Sequence, residues 1–208
     1  MKRISMKRIS YALSAAIRGC ISKSAKAAVL FCLMASLVCS LAACQKEENK
    51  TIDLNALHTE IKEAYGENYV PAPPMEGTDL NARYGLTEDM YTELIAEFPM
   101  ISVNVDEFVA VHAAEGKAAD VKAALDAYQK MLQDNSMQYP MNVSKIQASQ
   151  VIAHGDYVFF VMLSTMEDVS GDGEVTAGDA AQAEEEALNK AKEDNQKAVD
   201  IINSYFEA

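Results

Sequence analysis

The run Tyr157-Val158-Phe159-Phe160-Val161-Met162-Leu163 constrains the fold more than any other stretch of the chain. Its length and its β-branched and aromatic content suit a strand. It is apolar on both faces, so that strand must be central and covered on each side. Just before it, Gln150-Val151-Ile152-Ala153-His154 reads as a partner strand, joined through Gly155-Asp156. A two-residue turn containing glycine matches the right-handed twist of paired strands. The rest of the chain must therefore pack around an antiparallel hairpin over 150–163.

The remaining elements follow from periodicity. Ile52, Leu54, Leu57, Ile61 and Tyr65 have helical spacing, and Gly66 closes that helix. Tyr69 to Pro74 is too rich in proline for regular structure and reads as an extended crossing segment. Thr87 is expected to cap a second helix, with Glu88 and Asp89 near its positive end. Met90, Leu94, Ile95 and Phe98 would form its apolar face, and Pro99 would end it. Ile101 to Ala113 is expected to be a strand, bulged near Asp106-Glu107. An amphipathic helix follows Gly116, carrying Val121, Leu125, Tyr128 and Leu132 on one side, and Tyr139-Pro140 breaks it. Val143 to Ser149 reads as a short helix and Ala180 to Phe206 as a long one. The expected fold class is α+β: a small antiparallel sheet (strand 101–113, hairpin 150–163) with helices on one face and a long C-terminal helix.

Ahead of this lies a segment of different character. Lys2, Arg3, Lys7, Arg8, Arg18, Lys23 and Lys26 precede an apolar run from Ala27 to Ala43. That run is short and small-residue-rich, and a spanning helix needs about 20 apolar residues. It ends in Leu41-Ala42-Ala43-Cys44. A basic start, a short apolar stretch and a small-residue exit make a signal peptide. The cysteine after the exit is what a lipoprotein signal peptidase requires, since its thiol is first alkylated by a diacylglycerol. Residues 1–43 are thus expected to be removed by cleavage between Ala43 and Cys44. Residues 44–50 would be the acylated cysteine and its tether, and 51–208 a single domain. Two acyl chains on Cys44 anchor stably, where one is marginal. The repeat of Met1-Lys2-Arg3-Ile4-Ser5 at Met6 to Ser10 suggests Met6 as an alternative start, with no consequence for the mature chain.

Cysteine and charge agree with that address. The four cysteines are Cys20, Cys32, Cys39 and Cys44, so the mature domain has no thiol for a disulfide, a zinc site or nucleophilic catalysis. All 31 acidic residues follow Cys44 while 7 of the 18 basic ones precede it, which leaves the mature chain at a formal −20. That charge opposes nucleic acid and anionic membrane surfaces. It suits a solvated exterior domain, and beyond that cationic ligands or divalent ions.

Several of these pieces, in this order, resemble a known family. They are Tyr84-Gly85-Leu86, the Met90–Phe98 segment, Asp106-Glu107-Phe108, the Val121–Leu132 helix and the Gly155-Asp156-Tyr157-Val158 hairpin. The chain resembles the lipoproteins of the domain-of-unknown-function 4358 (DUF4358) family over about residues 54–163. Residues 164–208 depart from the usual pattern. The resemblance implies a surface lipoprotein of Gram-positive bacteria and supplies no catalytic residues.

One stretch resembles a ligand motif. Asp168, Ser170 and Asp172 occupy positions one, three and five of an EF-hand-type calcium loop, and Gly173 the turn position. Glu174 would offer its carbonyl, Val175 would plug the core, and Asp179 would be the last ligand. The loop is closest to that of dockerin modules, but Ser170 and Asp179 depart from the stronger ligands and only one loop is present. An affinity of the extracellular class is expected, Kd about 10⁻⁴–10⁻³ M; a solvated Gly/Asp turn before a helix is the competing reading. His58 on a helix surface, His112 at a strand end and His154 beside a turn have no metal spacing. Asp106-Glu107 and Glu184-Glu185-Glu186 are expected to be solvated faces, because glycoside chemistry needs carboxylates opposed across a cleft. The tyrosines Tyr65, Tyr69, Tyr84, Tyr91, Tyr128, Tyr139 and Tyr157 read first as core. No P-loop, G-x-G-x-x-G, G-x-S-x-G or H-E-x-x-H is present.

The expected function is a lipid-anchored, non-enzymatic binding module on the cell exterior. Its partners would be the membrane, through Cys44, and a protein or envelope polymer, with one Ca2+ as the candidate cofactor. A small solute-binding or transporter-accessory lipoprotein is the alternative, and a hydrolase with an unrecognised site is third.

Overall fold

Four antiparallel strands in the order β1-β2-β4-β3 form one sheet. The strands are β1 (Tyr91–Glu97), β2 (Glu107–Ala113), β3 (Gln150–His154) and β4 (Tyr157–Met162). The helices are α1 (Leu54–Tyr65), α2 (Leu80–Tyr84), α3 (Ala118–Asp134), α4 (Pro140–Ala148) and α5 (Ala177–Phe206). This computed structural model describes residues 50–99, 103–135, 137–165 and 177–207, with the backbone alone for 177–180. All of them lie in one compact unit, Glu47–Ala208.

The hairpin forms as the residues dictate. His154 pairs with Tyr157 and Gln150 with Val161 across the Gly155-Asp156 turn. Gly155 adopts φ +56°, a left-handed backbone that a side chain would strain. β4 is buried at all six positions and lies between β2 and β3. Its odd residues Tyr157, Phe159 and Val161 join Phe108 and Ala110 of β2 under α1 and α5, against Leu54, Leu57, Ile61, Ala198 and Ile202. Its even residues Val158, Phe160 and Met162 join Val109 and Val111 under α2, α3 and α4, against Tyr84, Val121, Leu125, Tyr128 and Ile146. Helices therefore cover both faces, not one. The cause is the doubly apolar character of β2 and β4, since an uncovered face would leave their aromatic and branched side chains in water.

The expected helix between Thr87 and Pro99 is a strand. Thr87 caps only the single turn Glu88–Met90, after which β1 pairs with β2 from Tyr91 opposite Ala113 to Glu97 opposite Phe108. Met90, Leu94, Ile95 and Phe98 fit a helical stripe, but Leu94 and Ala96 serve one face of the sheet and Ile95 the other. β2 is buried and carries a full row of amides on its β1 side. Leaving that row unpaired costs more than any local helix preference recovers. The bulge lies in β1 between Tyr91 and Glu93, not near Asp106-Glu107. β2 begins only at Glu107, so the strand expected over 101–113 is shorter; 101 and 102 lie outside the described residues.

Helix boundaries follow their punctuation. Asp53 caps α1, its carboxylate accepting from Asn55 and Ala56 N–H, and Gly66 ends it at φ +55°. Pro140 opens α4 at a position needing no donor. The proline segment is extended, and its one ladder contact is Ala72 with Phe98. Among the described residues no helix is long and apolar enough to cross a membrane.

Candidate functional site

The chemistry gathers where β1 ends and β2 begins. Asp106 and Glu107, expected on a solvated face, are 0 % and 1 % exposed. Glu107 enters β2 beside Phe108, and the sheet carries its carboxylate under α2 and α3. Arg83 closes on it as a fork, Nε to Oε1 at 2.9 Å and Nη2 to Oε2 at 3.2 Å. The Tyr128 hydroxyl donates to Oε2 at 2.8 Å, and the Tyr84 hydroxyl donates to Oε1. A carboxylate has about four lone-pair positions, and four donors fill them here. The Arg83 guanidinium lies 4.2 Å over the Phe98 ring, and Tyr84 meets Tyr128 edge-on at 4.9 Å.

Burial, reinforced by the Glu107 charge, raises the Tyr84 and Tyr128 hydroxyls far above their ordinary value, so both remain protonated donors. Burial alone would lower Arg83, but the hydrogen bond and charge of Glu107 outweigh it and raise it. The four groups make one saturated unit, with no free acceptor on the carboxylate for a substrate proton. General-base chemistry needs such an acceptor within reach of the reacting group.

Asp106 faces the other way. Lys145 Nζ of α4 lies 2.9 Å from its Oδ1, and Ser164 Oγ donates at 3.0 and 2.9 Å to its two oxygens. Burial pushes its carboxyl up against the opposing pull of Lys145 and Ser164. The next residue, Thr165, is bound by the Asp194 carboxylate of α5 at 3.0 Å, and Lys190 bonds both. Asn195 accepts from Leu163 N–H at 2.7 Å and donates to the Ala148 carbonyl at 3.1 Å. The end of β4 is thus tied to α4 and α5 by buried polar bonds, just before the acidic stretch.

A third cluster surrounds His58, which is not on a helix surface. Its ring stacks on Phe108 at 5.5 Å, and Nε2 lies 3.1 Å from the Tyr69 hydroxyl and 3.2 Å from Glu97 Oε2. Lys62 reaches the same carboxylate at 3.6 Å. Burial holds His58 below its ordinary value, against the pull of Glu97. Burial and Glu97 raise Tyr69, which opposes any role as a nucleophile. His112 stacks on Tyr157 at 4.3 Å, and His154 stacks on Phe206 at 4.5 Å with Nε2 2.8 Å from Asn203.

Every buried side-chain nitrogen and oxygen among the described residues has a hydrogen-bond partner. Among the same residues no three His, Cys, Asp or Glu side chains converge to hold a metal. Ala43, Cys44, Asp168, Ser170, Asp172 and Glu174 lie outside the described residues. Asp179 falls in the first turn of α5, and its side chain is not described. Glu184, Glu185 and Glu186 are exposed, as expected. Of the tyrosines, Tyr65, Tyr84, Tyr128 and Tyr157 are buried and Tyr139 is exposed.

Sequence reasoning did not reach Arg83, Lys145 or Ser164. The available signal was an acidic pair at the mouth of an all-apolar strand, where a charge must either leave the sheet or find partners.

No curated protein and no solved structure matches the chain. A family match does exist. It begins ten residues later than the resemblance suggested and takes in all four strands with α2, α3 and α4, but only the last two residues of α1 and none of α5. Residues 64–163 match the model described as Domain of unknown function (DUF4358), and over that stretch the chain is similar to this family.

Proposed function

We propose that the chain is a lipid-anchored exterior lipoprotein whose domain binds a partner and performs no catalysis. The observation that carries the reading is the sequence Leu41-Ala42-Ala43-Cys44, followed closely by a compact unit that begins at Glu47. The saturated state of Glu107 supports the non-catalytic part. A carboxylate whose acceptor positions are all filled serves the fold, not a substrate.

The test is metabolic labelling with a palmitate analogue in cells making the full chain. Label on the wild type, with loss of label and release from the membrane in Cys44→Ala, is the expected outcome. Retention of the membrane-bound state in Cys44→Ala without lipid incorporation would overturn it.

The same reading gives the loop from Asp168 to Asp179 a calcium ion that orders the start of α5. Calorimetric titration of the full chain in detergent should then show saturable heat with Kd about 10⁻⁴–10⁻³ M, absent in Asp172→Ala. No heat would reduce the loop to an acidic turn.

A further inference from the structure

The apolar side chains left on the surface are sorted by kind. Every leucine, isoleucine and phenylalanine among the described residues is buried or half-buried. The large apolar side chains that are exposed are Met75, Met131, Met137 and Met141, with Val103, Val143 and Tyr139. The four methionines are 68 %, 51 %, 89 % and 67 % exposed, in that order. Chance exposure of apolar side chains is ordinary, but it falls on leucine and isoleucine as well. Methionine is close to both in size and hydrophobicity. What sets it apart is its sulfur, a polarisable and nucleophilic atom.

The inner methionines are placed differently. Met90 is half-buried, packs against the cluster under α2, α3 and α4, and its Sδ lies 3.4 Å from the Thr87 N–H. Met162 is 1 % exposed and pairs with Glu107 across β2 and β4. An oxygen added to its sulfur would set a polar group among Val109, Phe160 and Tyr128. The four exposed methionines belong to neither core cluster. Met75 serves its turn through its backbone carbonyl, which accepts from the Thr78 N–H at 3.1 Å, a bond that the side chain does not touch. Met100 and Met166 lie outside the described residues.

No cysteine follows Cys44, so in the folded unit the thioethers are the only sulfur. Thiols and thioethers are the side chains that two-electron oxidants reach first. With no thiol in the fold, the exposed thioethers meet such an oxidant ahead of the buried core.

We propose that Met75, Met131, Met137 and Met141 are sacrificial oxidation sites, and that the oxidant they take up is a hypohalous acid such as hypochlorous acid. The sulfur lone pair attacks the chlorine and hydroxide leaves. Water then bonds to sulfur through oxygen, chloride departs, and the two protons of that water are released, one of them to the hydroxide. The net change is thioether plus hypochlorous acid to sulfoxide, chloride and a proton, with sulfur oxidised and chlorine reduced. Each exposed site gains a polar oxygen where it already faces water, so the fold is unchanged and Met162 is spared. The proposal goes beyond the binding role put forward above and does not rest on the lipid anchor.

The test titrates the purified full chain, in a detergent inert to the oxidant, with hypochlorous acid up to about four molecules per chain beyond what any thiols consume. Peptide mass mapping follows each methionine and a thermal melt follows the fold. One oxygen should appear on each of the four exposed methionines before Met90 or Met162 gains any, with the melting temperature held within about two degrees. A chain carrying Met75→Leu, Met131→Leu, Met137→Leu and Met141→Leu should melt as the wild type does before treatment. After the same dose its oxidation should pass to Met90 and Met162, and it should lose about five degrees or more. Oxygen on Met162 as early as on the exposed four would overturn the proposal. So would a melting temperature that falls with the first oxygens added, or a fourfold leucine variant that withstands the dose as well as the wild type. Failure of the anchor reading is seen separately. Peptides ahead of Cys44 would then remain on the chain, and their cysteines would consume oxidant first, which moves the dose and leaves the order among the methionines as it is.

Discussion

Glu107 sits in the sheet as a charge that the fold can tolerate only with its donors in place. Glu107→Gln keeps the shape but leaves Arg83 facing a neutral group, and urea unfolding should show a loss of about 3 kcal/mol. Tyr128→Phe removes one donor to a charged acceptor and should cost about 2 kcal/mol in the same assay. His58 gives a pH signature. Its folded value lies below the ordinary 6.5, so its contribution is complete above that pH and is lost as pH falls through the folded value. Stability should therefore fall between about pH 7.5 and about pH 5, and His58→Gln should shrink that difference. Tyr128 was legible as core, but the partners of Glu107 and the enclosure of His58 were not. Glu107 and its ligands are separated by 24 residues on one side and 21 on the other, and a single sequence offers no rule that draws Arg83 and Tyr128 to one oxygen pair. His58 was misplaced for a related reason. Its position on α1 is near the apolar stripe, and Phe108 of β2, the crossing of Tyr69 and the end of β1 at Glu97 enclose it.

At the scale of elements, legibility followed local punctuation. The hairpin was readable to within a residue because Gly155-Asp156 and the apolar run of β4 agree. Gly155→Ala should cost about 1 kcal/mol by thermal melt, since its backbone lies in the left-handed region. α1, α3 and α5 were readable from their stripes. β1 was not, because Leu94-Ile95 fits either period and the decision belongs to the unpaired amides of β2, a long-range term. The prolines have a related consequence. Ala72 bonds Phe98 through both its N–H and its C=O, and the next pairing position would fall on Pro74, which has no N–H. The crossing segment thus touches the edge of β1 and cannot extend it. Asn195 shows how α5 is fastened: Asn195→Ala would strand the Leu163 N–H and the Ala148 carbonyl, and chemical denaturation should register a loss of about 3 kcal/mol.

For the whole molecule, the α+β class and the long last helix were read correctly, but the number of covered faces was not. The family match explains part of this. Its residues 64–163 hold the sheet and the helices of one face, while nearly all of α1 and the whole of α5 lie beyond it and close the other. Two helices far apart in sequence, joined on one face by Leu54, Leu57 and Ile202, leave no local trace of their meeting. The formal −20 of the chain after Cys44 acts at this scale too. Self-repulsion in the compact state is screened by salt, so the melting temperature should rise by a few degrees as ionic strength goes from about 0.02 to about 0.2 M.

The placement of α1 bears on mechanical load. It starts at the Lys50 end and finishes where the Tyr65 hydroxyl meets the Asp194 carbonyl, so it runs along the sheet from one end of the domain to the other. A pull applied at Lys50 while the opposite end of the sheet is held would draw α1 along its own axis. That is shear, in which Leu54, Leu57, Ile61 and Tyr65 resist together, and not peeling, in which they would give way one at a time. The chain enters the fold at Lys50 in the direction in which its first helix is hardest to remove.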